Sequence, residues 1–204
     1  SSSANSVILG GNTNLIDRSS NATLVGGQQN KIWHGSNYAS ILGGIKNEIS
    51  GGAYYSTMLG GENNAIKGGY YTMVGGGEFN HISASNYSAI VGGGGNPRGS
   101  GNRIIGLPGS STDVANLIGA GSGNYISASS YCFIGAGRFN EIENGSWANG
   151  VSAQYSQGDN TIVGGAYNTI TRTSGSFIGG GRTNKISASE YSAILGGDVG
   201  IISY

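Results

Sequence analysis

The sequence predicts an all-β fold, a parallel β-solenoid (β-roll or β-helix) of about eleven coils of roughly 17 residues each. The main observation is a repeat, of which Ser88-Ala89-Ile90-Val91-Gly92-Gly93 is one copy. Eight of the ten intervals between first glycines are nearly equal in length, and so short a period is typical of units that bury their apolar face only by stacking. No segment has helical periodicity, and every apolar run is short, β-branched and bounded by Gly or Asn. The first glycines of the copies are Gly10, Gly26, Gly43, Gly60, Gly75, Gly92, Gly119, Gly135, Gly164, Gly179 and Gly196.

The composition excludes several classes of protein. Glycine makes up 41 of 204 residues but does not recur at every third position, and regular columns of Ile, Leu and Val argue against a disordered chain. Ten basic and ten acidic residues balance, so no nucleic-acid partner is expected. The single cysteine, Cys132, excludes an intrachain disulfide framework and a cysteine-cluster metal site. Every apolar run is far shorter than a membrane-spanning helix needs, so no membrane insertion is expected, and because the chain starts within the repeat we interpret it as a piece of a longer protein.

Each repeat is expected to hold two short strands, the apolar run before the glycines and the Asn-x-Ile segment after them. Gly-Gly makes one turn, and a variable segment, often Ser-Ala-Ser, makes the other. Some copies have a third glycine, as in Gly75-Gly76-Gly77, which we interpret as a one-residue insertion absorbed by a bulge. Coils stacked ~4.8 Å apart would form a rod on the order of 50 Å long, which is the geometry of a spacer.

Residues 1–204 are interpreted as a single repeat domain with two loop insertions, at about 94–113 and 143–160. The two segments account for the two long intervals, and insertions in a solenoid project from one face or corner. The final copy has Gly200 in place of asparagine and is interpreted as a degenerate last turn or a cap.

Two apolar columns run through the repeats, at the two positions before the first glycine. Because side chains alternate across a strand, one column must fill the coil together with the isoleucines of the Asn-x-Ile segments, and the other must point outward. An outward stripe of this length exceeds what monomers tolerate, so we expect a cyclic homotrimer that packs three stripes around an axis. A wide coil that encloses both columns is the alternative. The first column is Ile8, Leu24, Ile41, Met58, Met73, Ile90, Leu117, Phe133, Ile162, Phe177 and Ile194, and the second is Leu9, Val25, Leu42, Leu59, Val74, Val91, Ile118, Ile134, Val163, Ile178 and Leu195.

Tyrosines and asparagines form two further columns. Tyr38, Tyr55, Tyr87 and Tyr191 share a register, and such a ladder either stacks sugars or, as we expect, packs one turn on the next. Asparagine tolerates the left-handed conformation, and stacked amides add a ladder along the axis, so the asparagine column is expected to be structural. Its members are Asn14, Asn30, Asn47, Asn64, Asn80, Asn124, Asn140, Asn168 and Asn184.

The sequence holds little that points to catalysis. Carboxylates are scattered, and only Glu141 and Glu143 lie within one strand-face spacing. His34 and His81 stand apart from other candidate ligands. We therefore expect no catalytic, cofactor-binding or metal-binding residues, and no enzyme.

Recognition is expected in the insertions and variable turns, because binding residues are disproportionately placed on loops. Large or polar candidates for receptor binding are Arg98, Arg103, Trp147, Tyr155 and Gln157. The alternative is that these loops cover an edge of the trimer.

The run Asn5-Ser6-Val7-Ile8-Leu9-Gly10 resembles the Asn-Ser-Val-Ala-Ile-Gly repeat of trimeric autotransporter adhesin heads, and the glycine-rich repeats look like those of bacteriophage tail fibres. This resemblance implies a trimeric parallel β-roll or β-helix displayed outside the cell or on the virion surface, where it binds host surfaces. Two departures, a longer repeat than that of the adhesins and the absence of a coiled-coil stalk, make a phage fibre at least as good a match as an adhesin.

Together these observations favour a segment of a trimeric extracellular fibre that attaches to a host-cell surface receptor, with glycan the expected class. A carbohydrate-active β-helix enzyme, a polysaccharide lyase or hydrolase, is one alternative and would need carboxylates that converge in space. An extracellular matrix or filament protein is another and would need open-ended stacking.

Overall fold

The fold consists of short parallel strands that stack in two ladders. A computed structural model describes residues 3–94, 101–106, 115–143 and 158–204. Two eleven-stranded parallel sheets confirm the predicted all-β solenoid of eleven coils. The odd-numbered strands form sheet 1: β1 (Val7–Ile8), β3 (Thr23–Leu24), β5 (Ser40–Ile41), β7 (Thr57–Met58), β9 (Met73–Val74), β11 (Ala89–Ile90), β13 (Leu117–Ile118), β15 (Phe133–Ile134), β17 (Thr161–Ile162), β19 (Phe177–Ile178) and β21 (Ala193–Ile194). The even-numbered strands form sheet 2: β2 (Leu15–Asp17), β4 (Lys31–Trp33), β6 (Glu48–Ser50), β8 (Ala65–Lys67), β10 (His81–Ser83), β12 (Arg103–Ile105), β14 (Tyr125–Ser127), β16 (Glu141–Glu143), β18 (Thr169–Thr171), β20 (Lys185–Ser187) and β22 (Ile201–Ser203).

The interior is a pair of apolar ladders, one from each sheet. Each interior residue sits on its counterpart in the next coil, as Ile82 does on Ile104. Between the first and last coils these side chains are fully buried without any partner chain, so one of the two adjacent apolar positions of each coil faces inward. The ladder of sheet 1 is Ile8, Leu24, Ile41, Met58, Val74, Ile90, Ile118, Ile134, Ile162, Ile178 and Ile194, and that of sheet 2 is Ile16, Ile32, Ile49, Ile66, Ile82, Ile104, Ile126, Ile142, Ile170, Ile186 and Ile202.

The predicted register was wrong by one residue in the four coils with glycine at 75, 119, 135 and 179. There the buried residue is Val74, Ile118, Ile134 or Ile178, so the residue before it faces outward. The buried residue stays six positions before the ladder asparagine in these coils, as it does in the first four coils and in the coil of Ile162, so the third residue of the Gly-Gly-Gly or Gly-Ala-Gly turn is not an insertion. Because a slip of one residue would turn every side chain to the wrong side, the buried ladders set the register.

In these four coils the first glycine takes the place of the outward aliphatic residue. A Cβ at Gly179 would overlap the carbonyl oxygen of Leu195 and also approach the ring of Phe177. Gly135 has the same relation to Val163 and Phe133. Each of these coils instead carries a large apolar residue two positions earlier, at Met73, Leu117, Phe133 and Phe177.

The second glycine of the turn is required by the close approach of neighbouring coils. Gly27 has a φ of 89°, and a Cβ there would overlap the carbonyl oxygen of Gly44 in the next coil. Only glycine combines this left-handed backbone with the absence of a side chain. The Gly-Gly turn predicted from the repeat is therefore confirmed, and its second glycine fixes how closely the coils stack.

The asparagine column is a buried ladder, as expected. Asn47 donates from Nδ2 to the carbonyl oxygens of Gly43 (3.1 Å) and Gly61 (2.9 Å), and its Oδ1 accepts from the backbone N–H of Asn64 (3.0 Å). The left-handed conformation falls one residue earlier than expected, for example on Lys46, with a φ of 54°. The side chain of Asn47 thus caps its own turn and joins two neighbouring coils.

The stretch 94–113 is not a single loop, which corrects the boundaries predicted from the sequence. Asn102 donates its backbone N–H to Asn80 Oδ1 (2.9 Å), and Ile104 pairs with Ile82 and Ile126, so the segment 101–106 completes the sixth coil.

The spacing of the asparagine ladder shows where the chain is longer between coils. Hydrogen-bonded neighbours such as Asn14 and Asn30 are separated by 16 or 17 positions in most of the stack. The separation grows to 22, 22 and 28 positions in the intervals that start at Asn80, Asn102 and Asn140. The strand pairing of sheet 2 continues in register across these longer intervals.

Candidate functional site

The outer side of sheet 1 carries an exposed apolar surface along the whole solenoid. In every coil we define the apolar face as the five residues that end one position after the buried residue, from Asn5–Leu9 in the first coil to Tyr191–Leu195 in the last. Only one charged residue, Asp159, occurs in these eleven segments. The outward aliphatic side chains of the apolar face are strongly exposed to solvent, 46% for Leu42 and 84% for Leu195. A wide coil enclosing both apolar columns is thereby ruled out.

A ladder of stacked tyrosines lies along one edge of the apolar face. The rings of Tyr38, Tyr55, Tyr71 and Tyr87 stack with centroids 4.8, 4.9 and 5.3 Å apart and planes within 8° of parallel. Packing between turns, expected from the sequence, is therefore confirmed for Tyr38, Tyr55 and Tyr87, and Tyr71 joins the same ladder. The ring faces inside the ladder are taken by neighbouring rings, so along its length the ladder presents ring edges and hydroxyl groups outward.

All four tyrosines adopt the left-handed conformation, with φ between 50° and 57°. This backbone costs a bulky residue about 1–2 kcal/mol relative to its ordinary conformation. The first two coils have asparagine at the same position, at Asn5 and Asn21, which adopts it more readily. Tyrosine thus occupies a position whose left-handed backbone disfavours a bulky residue, which points to a role for the exposed phenol edges.

The outer side of sheet 2 has the opposite character, since charged residues recur along it. Glu48 accepts hydrogen bonds from Trp33 Nε1 (3.1 Å) and Ser50 Oγ (2.8 Å). Burial alone would raise the pKa of this carboxyl, but these two hydrogen bonds and the positive charges of Lys67 and Lys31 outweigh it and lower the pKa. The outer side of sheet 2 is therefore the charged side of the solenoid, and the outer side of sheet 1 is apolar with Asp159 as its one charged residue.

A groove of about 520 Å³ opens on the charged side, across the fourth to eighth coils. We call it the aromatic groove and define it by Phe79, His81, Arg103, Tyr125 and Phe139. In its floor, the neighbouring strands β10, β12 and β14 place His81 beside Arg103 and Arg103 beside Tyr125. Its volume is in the range of small-molecule and sugar sites.

Two glycines open the groove between the phenylalanines. The corner position that Phe79 and Phe139 occupy is glycine in the two coils between them, Gly101 and Gly123. A Cβ at Gly123 would overlap the ring of Phe139, so that ring lies over the glycine and forms a wall. The far side of the Phe139 ring stacks on Tyr167, with centroids 5.4 Å apart, which supports the wall from behind.

Arg103 supplies the charge of the groove. Its guanidinium lies 5.7 Å from the centre of the Tyr125 ring, a cation–π arrangement. The pKa of His81 is lowered by burial first and then by the positive charges of Arg103 and Lys67, against an opposing effect of Glu48. His81 is therefore neutral near pH 7, and its Nε2 has no hydrogen-bond partner among the described residues.

Of the five receptor-binding residues predicted from the sequence, Arg103 is the one that the described residues include. It lies in strand β12, not in a loop as predicted, and it lines the groove. Arg98, Trp147, Tyr155 and Gln157 fall outside the described residues.

Sequence reasoning missed the aromatic walls and floor of the groove. Phe79 and Phe139 precede ladder asparagines and share a repeat position with Gly101 and Gly123. An alignment of all coils on the ladder asparagine would have shown glycine in the two coils between Phe79 and Phe139. The interpretation of residues 94–113 as an insertion left Gly101 out of that alignment.

The described residues contain no group of three or more His, Cys, Asp or Glu side chains that could hold a metal ion. Glu141 and Glu143 both lie in β16, and burial and the charge of Glu143 raise the pKa of Glu141. Cys132 is buried against sheet 1, and burial raises the pKa of its thiol to about 11, so the thiol is protonated at neutral pH. Among the described residues there is also no helix with the length and apolar character needed to cross a membrane.

The architecture is compatible with β-helical repeat proteins in general. No protein-family model matches the sequence, and none of the curated proteins matches it.

Proposed function

We propose that this chain is a non-enzymatic segment of a trimeric extracellular fibre, of a phage tail or a bacterial adhesin, that holds its shape as a rigid spacer and attaches to glycan on a host-cell surface. The observation that carries the proposal is the apolar face, which runs the length of the solenoid with Asp159 as its one charged residue. Monomers seldom leave a contiguous apolar patch of this extent open to water.

The size of the face suits a stable interface. Eleven coils at ~4.8 Å give ~50 Å of length, and five residues at ~3.3 Å give ~16 Å of width. The product is about 800 Å² per chain, which is the area that each partner buries in an ordinary specific interface. The charged outer side of sheet 2 would remain in water in such an assembly.

Three copies fit the face better than two, because each chain offers two adjoining apolar surfaces. One is the row of aliphatic side chains that includes Leu42 and Val91, and the other is the tyrosine ladder beside it. A threefold axis parallel to the rod would bring the aliphatic row of one chain against the tyrosine edges of the next. A closed ring of this kind buries both surfaces and does not grow into a filament.

The test is the mass of the purified chain in solution by light scattering. A trimer would have a mass of about 62 kDa, three times the chain mass of 20.6 kDa. Replacing Leu42 and Val91 together with glutamate should give folded monomers, because both side chains are exposed in the single chain, 46% and 53%, and only the assembly would bury them. A mass of 20.6 kDa for the native chain would contradict the trimer.

The matched control places the same charges on the other side. Leu15 and Ile201 are exposed apolar residues of sheet 2, 42% and 65%, and their double replacement with glutamate should leave the trimer intact. If this control dissociates the assembly as readily, the apolar face is not the interface. A mass that grows with concentration would favour the matrix or filament alternative.

Attachment is tested with the fluorescently labelled trimer on an array of immobilised cell-surface glycans. Retention of the label on glycan spots, with no release of reducing ends from polysaccharide in solution, is the expected result. Release of reducing ends would instead favour the carbohydrate-active enzyme.

A further inference from the structure

We infer that the aromatic groove is a binding site for an acidic saccharide, a sugar chain whose rings carry carboxylate groups, with Arg103 as the carboxylate-binding residue. This inference names the ligand class of the attachment proposed above and rests on that proposal. The groove lies on sheet 2, away from the apolar face, so a trimer formed through that face would leave it accessible.

The walls and floor of the groove suit the apolar faces of sugar rings. Phe79 is 40% exposed, although it is a large apolar residue on the charged side of the solenoid. Phe139 and Tyr125 add two further rings around the same opening. Aromatic rings bind the C–H faces of sugars by stacking, and the tyrosine ladder cannot do so along its length because its inner ring faces are already stacked.

The charge of the groove suits a carboxylate. Arg103 is exposed, lines the groove and forms no ion pair within 4.0 Å among the described residues. A guanidinium presents two parallel N–H donors that match the two oxygens of a carboxylate. The described lining contains no carboxylate that would compete for it, and His81 is neutral near pH 7.

The width of the opening also favours a ring-sized ligand. Phe79 and Phe139 are three coils apart, and the glycines at 101 and 123 leave two coils without a side chain between them. Because the Phe139 ring lies over Gly123, the open part of this gap is the coil of Gly101, between Phe79 on one side and the Phe139 ring on the other.

The experiment is isothermal titration calorimetry of the full chain with a tetramer of galacturonate and with a tetramer of sialic acid, at 50 and 500 mM NaCl. Maltotetraose serves as the neutral saccharide and acetate as the free carboxylate. We expect one or both acidic tetramers to bind, more weakly at high salt, and acetate and maltotetraose to bind at least tenfold more weakly. If acetate bound as tightly as the acidic tetramers, the site would be one for free anions, and the inference of a saccharide ligand would be overturned.

Three variants locate the site. Arg103→Gln should weaken binding about tenfold or more, because it removes a charge-assisted pair, and Phe79→Ala should weaken it while leaving the salt dependence in place. The control is Arg182→Gln, which removes an exposed arginine outside the groove and should change nothing. Circular dichroism of each variant establishes that it is folded.

The outcomes separate this inference from the fibre. Acidic tetramers that bind the native chain but bind Arg103→Gln and Phe79→Ala equally well would overturn the groove and leave surface attachment standing. No binding of either acidic tetramer up to 10 mM would overturn the groove as well. A monomeric native chain that loses binding in Arg103→Gln would uphold the groove and contradict the trimeric fibre.

Discussion

Replacement of Asn47 by alanine should lower the free energy of unfolding by about 3–5 kcal/mol. The side chain is fully buried, donates to the carbonyl oxygens of Gly43 and Gly61, and accepts from the N–H of Asn64. The two net hydrogen bonds to these carbonyl oxygens contribute about 1 kcal/mol each. The N–H of Asn64 would then lack its partner inside the stack, which adds about 1–3 kcal/mol.

The matched control is Asn14→Ala in the first coil. Asn14 makes the same three hydrogen bonds, to Gly10 (2.9 Å) and Gly27 (3.1 Å) and from the N–H of Asn30 (3.0 Å). It is only half-buried, and no coil precedes it in the described stack, so water can replace part of what is lost. We expect about 1 kcal/mol for this variant.

Urea unfolding followed by circular dichroism measures both variants, at one protein concentration because any assembly adds to stability. Equal losses in the two variants, or a loss below about 1 kcal/mol for Asn47→Ala, would refute the account of the asparagine ladder as the main polar link between coils. Amide hydrogen exchange gives a second readout, since the N–H of Asn64 should exchange faster in Asn47→Ala.

Two further predictions concern the turns and the charged side. Gly179→Val should destabilise the fold by about 1–3 kcal/mol or more, because the new side chain would overlap the backbone of Leu195. The control Gly26→Ala has open space around its Cβ and should change stability by less than about 0.5 kcal/mol. Thermal melts that rank the two variants alike would contradict the register assigned to the coil of Gly179. The lowered pKa of Glu48 means that its carboxylate stabilises the folded chain above the ordinary value of 4.5 and that this contribution is lost as the pH falls through the folded pKa. Glu48→Gln should therefore be less stable than the native chain at pH 7 and approach it toward pH 3, and a difference in urea midpoints that does not change with pH would count against this.

The sequence predicts the fold because each repeat carries the same few constraints. The period, the buried isoleucines and the asparagine column all point to stacked coils, and the structure has all three. The register of the four coils with glycine at 75, 119, 135 and 179 could not be read from the glycines themselves, since Gly-Gly-Gly or Gly-Ala-Gly offers more than one possible start for the turn. The distance from the buried residue to the asparagine removes the ambiguity, and it is the packing of Val74 that enforces it.

The groove was less predictable than the fold, because it depends on which positions lack a side chain. Gly101 and Gly123 look like any other glycines in a chain that has 41 of them. Their effect appears only when the coils are stacked and Phe79 and Phe139 stand on either side. The sequence identified Arg103 as a binding candidate because of its size and charge, but it did not predict that Arg103 lies in strand β12. The signal for that strand was the Asn-x-Ile unit Asn102-Arg103-Ile104, which we had interpreted as part of an insertion.

The unbroken pairing across the long intervals that follow Ile82, Ile104 and Ile142 separates two properties of the molecule. Residues added between paired strands lengthen the polypeptide without adding a coil, so they change neither the number of layers nor the distance between the two ends. The length of the segments between paired strands and the length of the stack can then vary independently. Segments of different length and sequence can be exchanged at these points during evolution or by engineering, while the distance the rod spans stays constant.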